Sequence, residues 1–215
     1  MKTQNKIALK FLLVMTILTG IIYPLLMTGL AQLSFPSKAN GSMILKDGNI
    51  IGSELIGQKF DSSIYFWSRP SAIGYNPIPS GASNYGPTSD TLKKLVASRR
   101  VLFASSNSVQ NELSVPKEMI FASGSGLDPH ISPVAALLQI DRISKARHFN
   151  DNQKQRLVQI VKDLTEQPQL LILGEKRINV LILNLELDKL TRNEESGIRN
   201  QKSGIRNQES GISNQ

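Results

Sequence analysis

The sequence contains no cysteine and only two histidines among its 215 residues. Without thiols it has no disulfide bond, no cysteine-ligated zinc or iron–sulfur cluster and no thiol nucleophile. It also has no Gly-x-x-x-x-Gly-Lys-Ser/Thr loop to hold nucleotide phosphates and no Gly-x-Ser-x-Gly turn to present a nucleophilic serine. We therefore expect no catalytic residue, no cofactor-binding residue and no metal ligand in this chain.

Basic residues exceed acidic ones, giving a formal net charge of +8, but they form no stripe along the chain. A protein that binds nucleic acid concentrates Lys and Arg on one face or along one helix. The observed spread is typical of an ordinary solvated surface, so we predict no nucleic-acid partner.

One long uncharged run, Phe11–Leu33, follows Lys2, Lys6 and Lys10. As a helix it reaches roughly 35 Å, enough to cross a hydrocarbon core of about 30 Å with some tilt. Basic residues are retained on the cytoplasmic side of a membrane. The pattern therefore predicts a cytoplasmic segment 1–10, a transmembrane helix 11–33 and an extracytoplasmic remainder.

A cleaved signal peptide is the alternative for this segment. The apolar run before Pro24 spans only Phe11–Tyr23, and Gly29-Leu30-Ala31 is a small-x-small site of the kind that signal peptidase cuts. Cleavage there would release a self-standing exported domain, binding or hydrolytic in function, that begins at Gln32. Both interpretations place the body of the chain outside the cytoplasm.

Residues 34–191 suit one α+β domain that is large enough to bury a hydrophobic core. Residues 34–42 have the composition of a linker. Asp47-Gly48 lies between two short apolar runs and predicts a β-hairpin, and we expect Ser53–Phe60 to continue as strand and turn. Residues 60–87 mix aromatics with proline and glycine and keep no helical or strand period, as in a long loop that is functional or packed by its own side chains.

Helices and strands are predicted after this loop. A helix capped by Thr88 or Ser89 has one apolar face, made of Leu92, Leu95, Val96, Leu102 and Phe103. Val115–Phe121 is a candidate strand. Ser132 followed by Pro133 predicts the start of a second helix, which runs to about Arg147.

The last part of the domain predicts one more helix and one strand. A helix opens at Asp151 and ends before Pro168, with four residues directed inward: Leu157, Ile160, Val161 and Leu164. Ile178–Leu187 is apolar on both faces at its centre, which favours a buried strand. Residues 192–215 hold three tandem heptads with one apolar residue and one glycine each, too few apolar positions for a coiled coil, and we predict a disordered tail.

Six segments of the chain together resemble one known family. They are 52–60 (GSELIGQKF), 65–72 (YFWSRPSA), 75–84 (YNPIPSGASN), 122–132 (ASGSGLDPHIS), the set Gln139, Arg142, Ala146 and Arg147, and 177–185 (RINVLILNL). In order and spacing, over about residues 5–190, they are similar to the C subunit of the Kdp-type potassium-transporting ATPase.

The resemblance implies a fold and a function. The fold would be one membrane helix that carries an extracytoplasmic α+β domain. The partners would be a channel-like potassium-binding subunit, a P-type ATPase subunit and a small single-helix subunit, with membrane lipid around the span. The complex would import potassium at high affinity by hydrolysing ATP. The C subunit would be needed for assembly and would act as a catalytic chaperone that raises the ATP affinity of the ATPase subunit.

The predicted topology limits how such a chaperone acts. Nucleotide is cytoplasmic and the domain is predicted to lie across a bilayer core of about 30 Å. The sequence itself lacks a phosphate-holding loop and the acidic phosphorylation motif of a P-type ATPase. Any effect on ATP would therefore pass through the complex, which handles ATP and potassium.

The candidate site residues each have a functional and a structural interpretation. Trp67, Arg69, Pro70 and Ser71 either contact a partner, as Trp and Arg often do at interfaces, or pack the long loop itself. Ser80, Ser83 and Asn84 either line a cation path or bond a partner's backbone, or they satisfy their own turns.

Asp128 and His130 invite a metal or catalytic interpretation. One carboxylate and one imidazole are too few ligands for a metal, and His148 is the chain's only other histidine. A Ser125–His130–Asp128 triad is disfavoured because residues this close in sequence rarely reach triad geometry. Ordering of a turn before Ser132 is the simpler interpretation, and we keep Asp128 and His130 as candidates for partner contact.

Overall fold

The computed structural model describes residues 2–170 and 172–192. The chain divides into two compact units, Met1–Leu55 and Ile56–Gln215. Helices and strands occur together, so the mixed α and β composition predicted from the sequence is confirmed. The predicted disordered tail lies outside the described residues, apart from Arg192.

The first unit contains an apolar helix of 32 residues, Thr3–Ser34, long enough to cross a membrane. It consists of α1 (Lys2–Ile17), a π-helical turn (Leu18–Ile22) and α2 (Tyr23–Ser34). Pro24 lies at the start of α2 and has no backbone N–H to donate. The wider turn before it is the kind of local adjustment that lets a helix continue through a proline.

A hairpin completes the first unit. The predicted linker contains one short helix, α3 (Pro36–Ala39), before β1 (Met43–Lys46) pairs antiparallel with β2 (Asn49–Ser53). Asp47 and Gly48 both have positive φ, 52° and 81°, as a tight two-residue hairpin turn requires. The Asp-Gly hairpin is therefore confirmed.

The strand predicted to continue over Ser53–Phe60 is wrong, because β2 ends at Ser53. The Ser53 hydroxyl accepts a hydrogen bond from Leu55 N at 3.1 Å and donates one to Gly41 O at 2.6 Å. A side chain bonded to its own backbone two residues on competes with strand pairing and turns the chain.

The second unit is mainly helical. Its helices are α4 (Asp90–Ser106), α5 (Pro133–Leu137), α6 (Ile140–Ala146), α7 (Asp151–Asp163) and α8 (180–192). Two short strands, β3 (His130–Ile131) and β4 (Ile178–Asn179), pair antiparallel. The fully buried core includes Phe66, Ile131, Ile143, Leu157, Ile178, Leu183 and Leu187.

The buried strand predicted for Ile178–Leu187 is wrong beyond its first two residues. The chain forms α8 instead, and the Asn179 side chain caps it by accepting from Leu181 N at 3.0 Å and Ile182 N at 3.2 Å. Four of the five buried apolar residues of α8 recur at helical spacing, Val180, Leu183, Leu187 and Leu190, and the fifth is Leu181. A short apolar run is ambiguous between the two structures, and here the period of the inward face decides for the helix.

The strand predicted for Val115–Phe121 is also wrong. The segment forms a 3-10 turn, Lys117–Met119, preceded by another at Glu112–Ser114. Pro116 has no N–H for a strand ladder, and Val115, Met119 and Ile120 are all buried rather than alternating between two faces.

The predicted helices are confirmed with two corrections. Ser89 caps α4 and Ser132 caps α5 through their hydroxyls, and Asn150 with Gln153 forms a capping box on α7. The helix predicted to run from Ser132 to Arg147 is interrupted at residues 138–139 between α5 and α6. Leu102, placed on the inward face of α4 by the sequence, is 58% exposed.

Candidate functional site

The long loop 60–87 contains no helix or strand, as predicted, yet its first part is firmly held. Arg142 on α6 is buried and its guanidinium donates five hydrogen bonds. The acceptors are Asn107 Oδ1 (2.9 Å), Ser62 O (3.2 Å), Ser63 O (2.5 Å), Tyr65 O (3.0 Å) and Gln139 Oε1 (2.8 Å). Every N–H of the guanidinium is thereby used.

Arg142 is a buried cation without a carboxylate partner among the described residues. Burial lowers its pKa to about 10, so it stays protonated at neutral pH. Neutral oxygens solvate it in place of a counter-ion, and its guanidinium stacks 4.4 Å from the Trp67 ring centroid. The charge of Arg142 therefore organises the loop carbonyls around it.

Two amide side chains hold the next residues of the loop. Gln139, fully buried, accepts from Trp67 N at 2.7 Å and donates to Ala135 O at 3.1 Å. Asn184 accepts from Phe66 N at 2.8 Å and donates to Phe66 O at 3.0 Å. Because Phe66 is completely buried, these bonds satisfy backbone groups that water cannot reach.

A second arginine, at the end of α6, bonds both to the loop and to side chains of α8. Arg147 donates to Ile64 O at 2.8 Å, to Asp188 Oδ1 at 2.8 Å and to Thr191 Oγ1 at 2.9 Å. Its guanidinium lies 4.9 Å from the ring centroid of Tyr65, whose hydroxyl donates to Asp188 Oδ2 at 3.3 Å. Residues 62–67 are thus bound by side chains from α6 and α8.

Arg69, Asp128 and His130, three of the predicted candidates, come together in space. Arg69 Nη1 donates to Asp128 Oδ2 at 2.5 Å, and Asp128 Oδ1 accepts from His130 N at 2.9 Å and lies 3.4 Å from His130 Nδ1. The Asp128–His130 contact is the predicted turn before Ser132. The ion pair between Asp128 and Arg69, which are 59 positions apart in sequence, was not predicted.

Electrostatics keep Asp128 ionised. Burial raises the pKa of its carboxyl, but hydrogen bonds from His130 and the charge of Arg69 outweigh that effect and lower the pKa to about 2. The cluster borders a cavity of about 440 Å³ whose other wall includes Gln169, Gly174 and Lys176. The Nε atom of Arg69 is buried and has no hydrogen-bond partner among the described residues.

The remaining candidates lie further along the loop. Pro70 O accepts from Ser123 N at 3.2 Å, and the Ser71 hydroxyl accepts from Ile73 N at 3.2 Å and Tyr75 N at 3.0 Å. Both therefore have structural roles within the loop. Three others, Ser80, Ser83 and Asn84, are exposed, and within the described part of the chain their side chains make no hydrogen bond.

Two glycines allow close approaches at the turn 122–130: Gly57 lies on the segment just before the long loop, and Gly126 lies in the turn and faces the loop. A Cβ on Gly57 would lie 2.7 Å from Asp128 O, and one on Gly126, whose φ is 71°, would lie 2.5 Å from Ile73 Cγ1. Neither space admits a side chain without a shift of the backbone or of Ile73.

The residues that hold the loop, above all Arg142 and Asn184, were missed as site residues by sequence reasoning. A signal was present for Asn184, which is a polar residue on the otherwise apolar inward face of α8, and a weaker one for Arg142, which lies between the apolar residues Ile140 and Ile143. Buried polar groups need partners, and in this fold the partners are loop backbone atoms that the sequence does not place.

The described residues contain no group of three or more His, Asp or Glu side chains that could hold a metal ion. Ser125, the serine of the disfavoured triad, accepts from Leu127 N at 3.1 Å and so takes part in the turn. The arrangement as a whole is an ordered surface, held from behind by buried arginines and amides, that presents one ion pair beside a polar cavity.

The described residues thus combine one apolar helix that is long enough to cross a membrane with a second compact unit that carries an ordered surface. The model of the family "K+-transporting ATPase, c chain" matches residues 5–189. The chain belongs to this family and is a subunit of a potassium-transporting ATPase complex that imports potassium.

Curated relatives carry the same description. The chain is similar to the "Potassium-transporting ATPase KdpC subunit" of Geobacter metallireducens, 49% identical over 86% of this chain and 97% of the relative. It is similar to the proteins of that name from Leptospira interrogans, 47% identical over 85% of this chain and 92% of the relative, and from Mycobacterium bovis, 44% identical over 88% and 100%.

Proposed function

We propose that the chain is a non-catalytic assembly subunit whose second unit lies outside the cytoplasm and docks on its partners through the surface around Arg69 and Asp128. One observation carries the proposal. The loop that bears Arg69 is fixed from behind by Arg142 and Asn184, while Arg69 remains partly open to solvent beside the cavity and Ser80 is exposed. Such rigidity lowers the entropy cost of docking.

The orientation follows from the charges that flank the span. Lys2, Lys6 and Lys10 precede the uncharged run and no acidic residue accompanies them, which supports a cytoplasmic N-terminus in the bacterial inner membrane. Residues beyond the span then lie outside the cytoplasm. The partners we propose are the channel-like potassium-binding subunit, the P-type ATPase subunit and the small single-helix subunit, which together handle ATP and potassium.

The first experiment recovers the complex in mild detergent with a tag at the C-terminus of the full chain and identifies the co-purified proteins and the N-terminus of the bait by mass spectrometry. We expect a P-type ATPase, a large multi-span subunit and an intact segment 1–33. A bait that is recovered alone and begins at Gln32 would instead establish the released exported domain.

A second experiment separates a partner contact at Arg69 from an internal one. Arg69→Gln removes the charge, and Lys59→Gln, on an exposed side chain of the same unit, is the matched control. We expect recovery of the complex to fall about tenfold for Arg69→Gln, because arginines at the centre of an interface often dominate its energetics. Asp128→Asn, which breaks the same internal ion pair but keeps Arg69, should lose a similar amount of folding stability with a smaller loss of recovery. An equal loss in stability and in recovery would assign Arg69 to the fold.

A chaperone effect on ATP affinity would reach the nucleotide only through the partners, since about 30 Å of hydrocarbon separates the two compartments. Deleting the chain from residue 56 onward while keeping the membrane helix tests this. Because the deleted residues include the proposed docking surface, we expect less complex to be recovered, and the complex that does assemble to bind ATP more weakly. Full recovery of the complex would contradict the docking role, and an unchanged ATP affinity would remove the chaperone role.

A further inference from the structure

An apolar arm extends from the second unit between α7 and β4. We define it as residues 166–177, of which all but one are described. Backbone pairs close it at two levels: Glu166 with Arg177, through bonds of 2.9 and 3.2 Å, and Gln169 with Leu173, through two bonds of 2.9 Å. A side-chain ion pair, Arg177 Nε to Glu166 Oε2 at 2.8 Å, reinforces the base. The arm is therefore a short hairpin with its own hydrogen bonds.

The tip of the arm is strongly apolar and open to solvent. Leu170 is 82% exposed, Ile172 80% and Leu173 57%. Adjacent large aliphatic side chains at such exposure form a patch of the kind that marks a protein or membrane contact rather than an isolated surface residue.

The backbone at the tip is held in a disfavoured conformation. Leu170 has a φ of 53°, in the left-handed region that bulky residues rarely adopt. Its conformation projects the leucine side chain outwards from a turn where glycine or asparagine would fit without strain. Residues kept in such conformations cluster at binding sites.

Either a lipid surface or a pocket in a protein could cover this tip, and the net charge of the arm distinguishes between the two. Binding to anionic lipid headgroups is favoured by an excess of Lys and Arg around the apolar residues. The arm has no excess of positive charge, because its two acidic residues, Glu166 and Glu175, balance its two basic residues, Lys176 and Arg177. A hairpin with a hydrogen-bonded backbone, an exposed apolar tip and no net charge suits an apolar pocket in a protein.

The arm also borders the cavity beside Arg69 and Asp128, to which Gln169, Gly174 and Lys176 contribute. The apolar tip and the polar cluster thus lie on continuous surface within the same unit. Apolar residues at the centre of a contact, with polar and charged groups around them, are the usual arrangement of a stable interface.

We propose that the arm 166–177 inserts Leu170 and Ile172 into an apolar pocket on the extracytoplasmic face of another subunit of the potassium-transporting complex. This inference rests on the proposed assembly role and names the element that makes the contact. Lipid is the competing occupant, and the test discriminates between them.

The test places a genetically encoded benzophenone amino acid at residue 170, 172 or 113 of the full chain, and irradiates the complex in native membranes. Leu113 is the matched control because it is 80% exposed in the same unit, outside the arm. We expect covalent adducts with another subunit from positions 170 and 172 and at least a tenfold lower yield from 113. Adducts with lipid only, with a second copy of this chain only, or equal yields from all three positions would overturn the proposal.

A substitution series provides the second measurement. The arm variant carries both Leu170→Ser and Ile172→Ser, and the control variant carries Leu113→Ser. Recovery of the complex is measured for each and normalised to the amount of the chain in the membrane. We expect recovery to fall at least tenfold for the arm variant and to stay within twofold for the control. If the unmodified chain recovers the complex and the arm variant does so equally well, the arm is not the contact while the proposed assembly role stands. If the unmodified chain recovers nothing, both fail.

Discussion

Asn184 on α8 pairs with the backbone of Phe66 in the long loop, accepting from its N–H at 2.8 Å and donating to its carbonyl at 3.0 Å. The amide thus satisfies both backbone hydrogen-bonding groups of one loop residue, as a neighbouring strand does in a sheet. The two residues are 118 positions apart in sequence, so the contact joins α8 to the loop that carries the candidate site.

Replacing Asn184 by leucine tests that contact at nearly constant volume. Both backbone groups of Phe66 would stay buried without a partner, and we expect a loss of about 2–4 kcal/mol in the free energy of unfolding. Urea unfolding of the full chain in detergent, followed by the emission of the chain's single tryptophan, Trp67, measures it. Asn152→Leu, at an exposed position of α7, is the control and should change stability by less than about 0.5 kcal/mol.

Arg142→Lys tests whether the fork of the guanidinium or only its charge holds the loop. An ammonium has three donors on one nitrogen and cannot reach five oxygens arranged around a plane. We expect about 2–4 kcal/mol of destabilisation. We also expect a red shift of Trp67 emission, because water reaches the ring face that the planar guanidinium covered. Lys145→Met, exposed on the same helix, should leave both unchanged. A fully stable Arg142→Lys variant would show that charge alone suffices.

The ion pair of Arg69 with Asp128 predicts an acid-sensitive component of stability. The pKa of Asp128 is lowered in the folded chain from 3.8 to about 2, so the stabilisation is complete above pH 3.8 and is lost as the pH falls towards 2. Between pH 5 and pH 3 we expect this residue to contribute a loss of about 1 kcal/mol. Urea unfolding at the two pH values measures it. In Asp128→Asn that component should disappear, and an equal pH slope in both proteins would contradict the assignment.

Gly57→Ala tests the close approach of the loop to the turn at Asp128. The added Cβ would lie 2.7 Å from Asp128 O, a backbone atom that moves only with its turn, and we expect about 1–3 kcal/mol of destabilisation. Gly86→Ala, in the long loop that follows, has open space around its Cβ and is the control. The urea midpoint of Trp67 emission compares the two variants. Equal midpoints would show that the turn yields at little cost.

The candidate site was only partly predictable from sequence. Arg69, Asp128 and His130 were singled out by residue type and local pattern, and the short-range contact of Asp128 with His130 follows from their spacing. The pairing of Arg69 with Asp128 depends on two loops meeting in space. Arg142 and Asn184 were missed because a buried polar side chain reveals its role only once its acceptors are placed.

The sequence by itself determined the features that depend on neighbouring residues: the apolar helix, the turn at Asp47-Gly48 and the capped starts of α4, α5 and α7. Their causes are side-chain chemistry and backbone preference within one or two turns of chain. Tertiary structure decided that 180–192 is a helix with one buried face, and that Arg142 would be surrounded by loop carbonyls. Both depend on which surfaces are removed from water together, and burial is a property of the whole fold rather than of a segment.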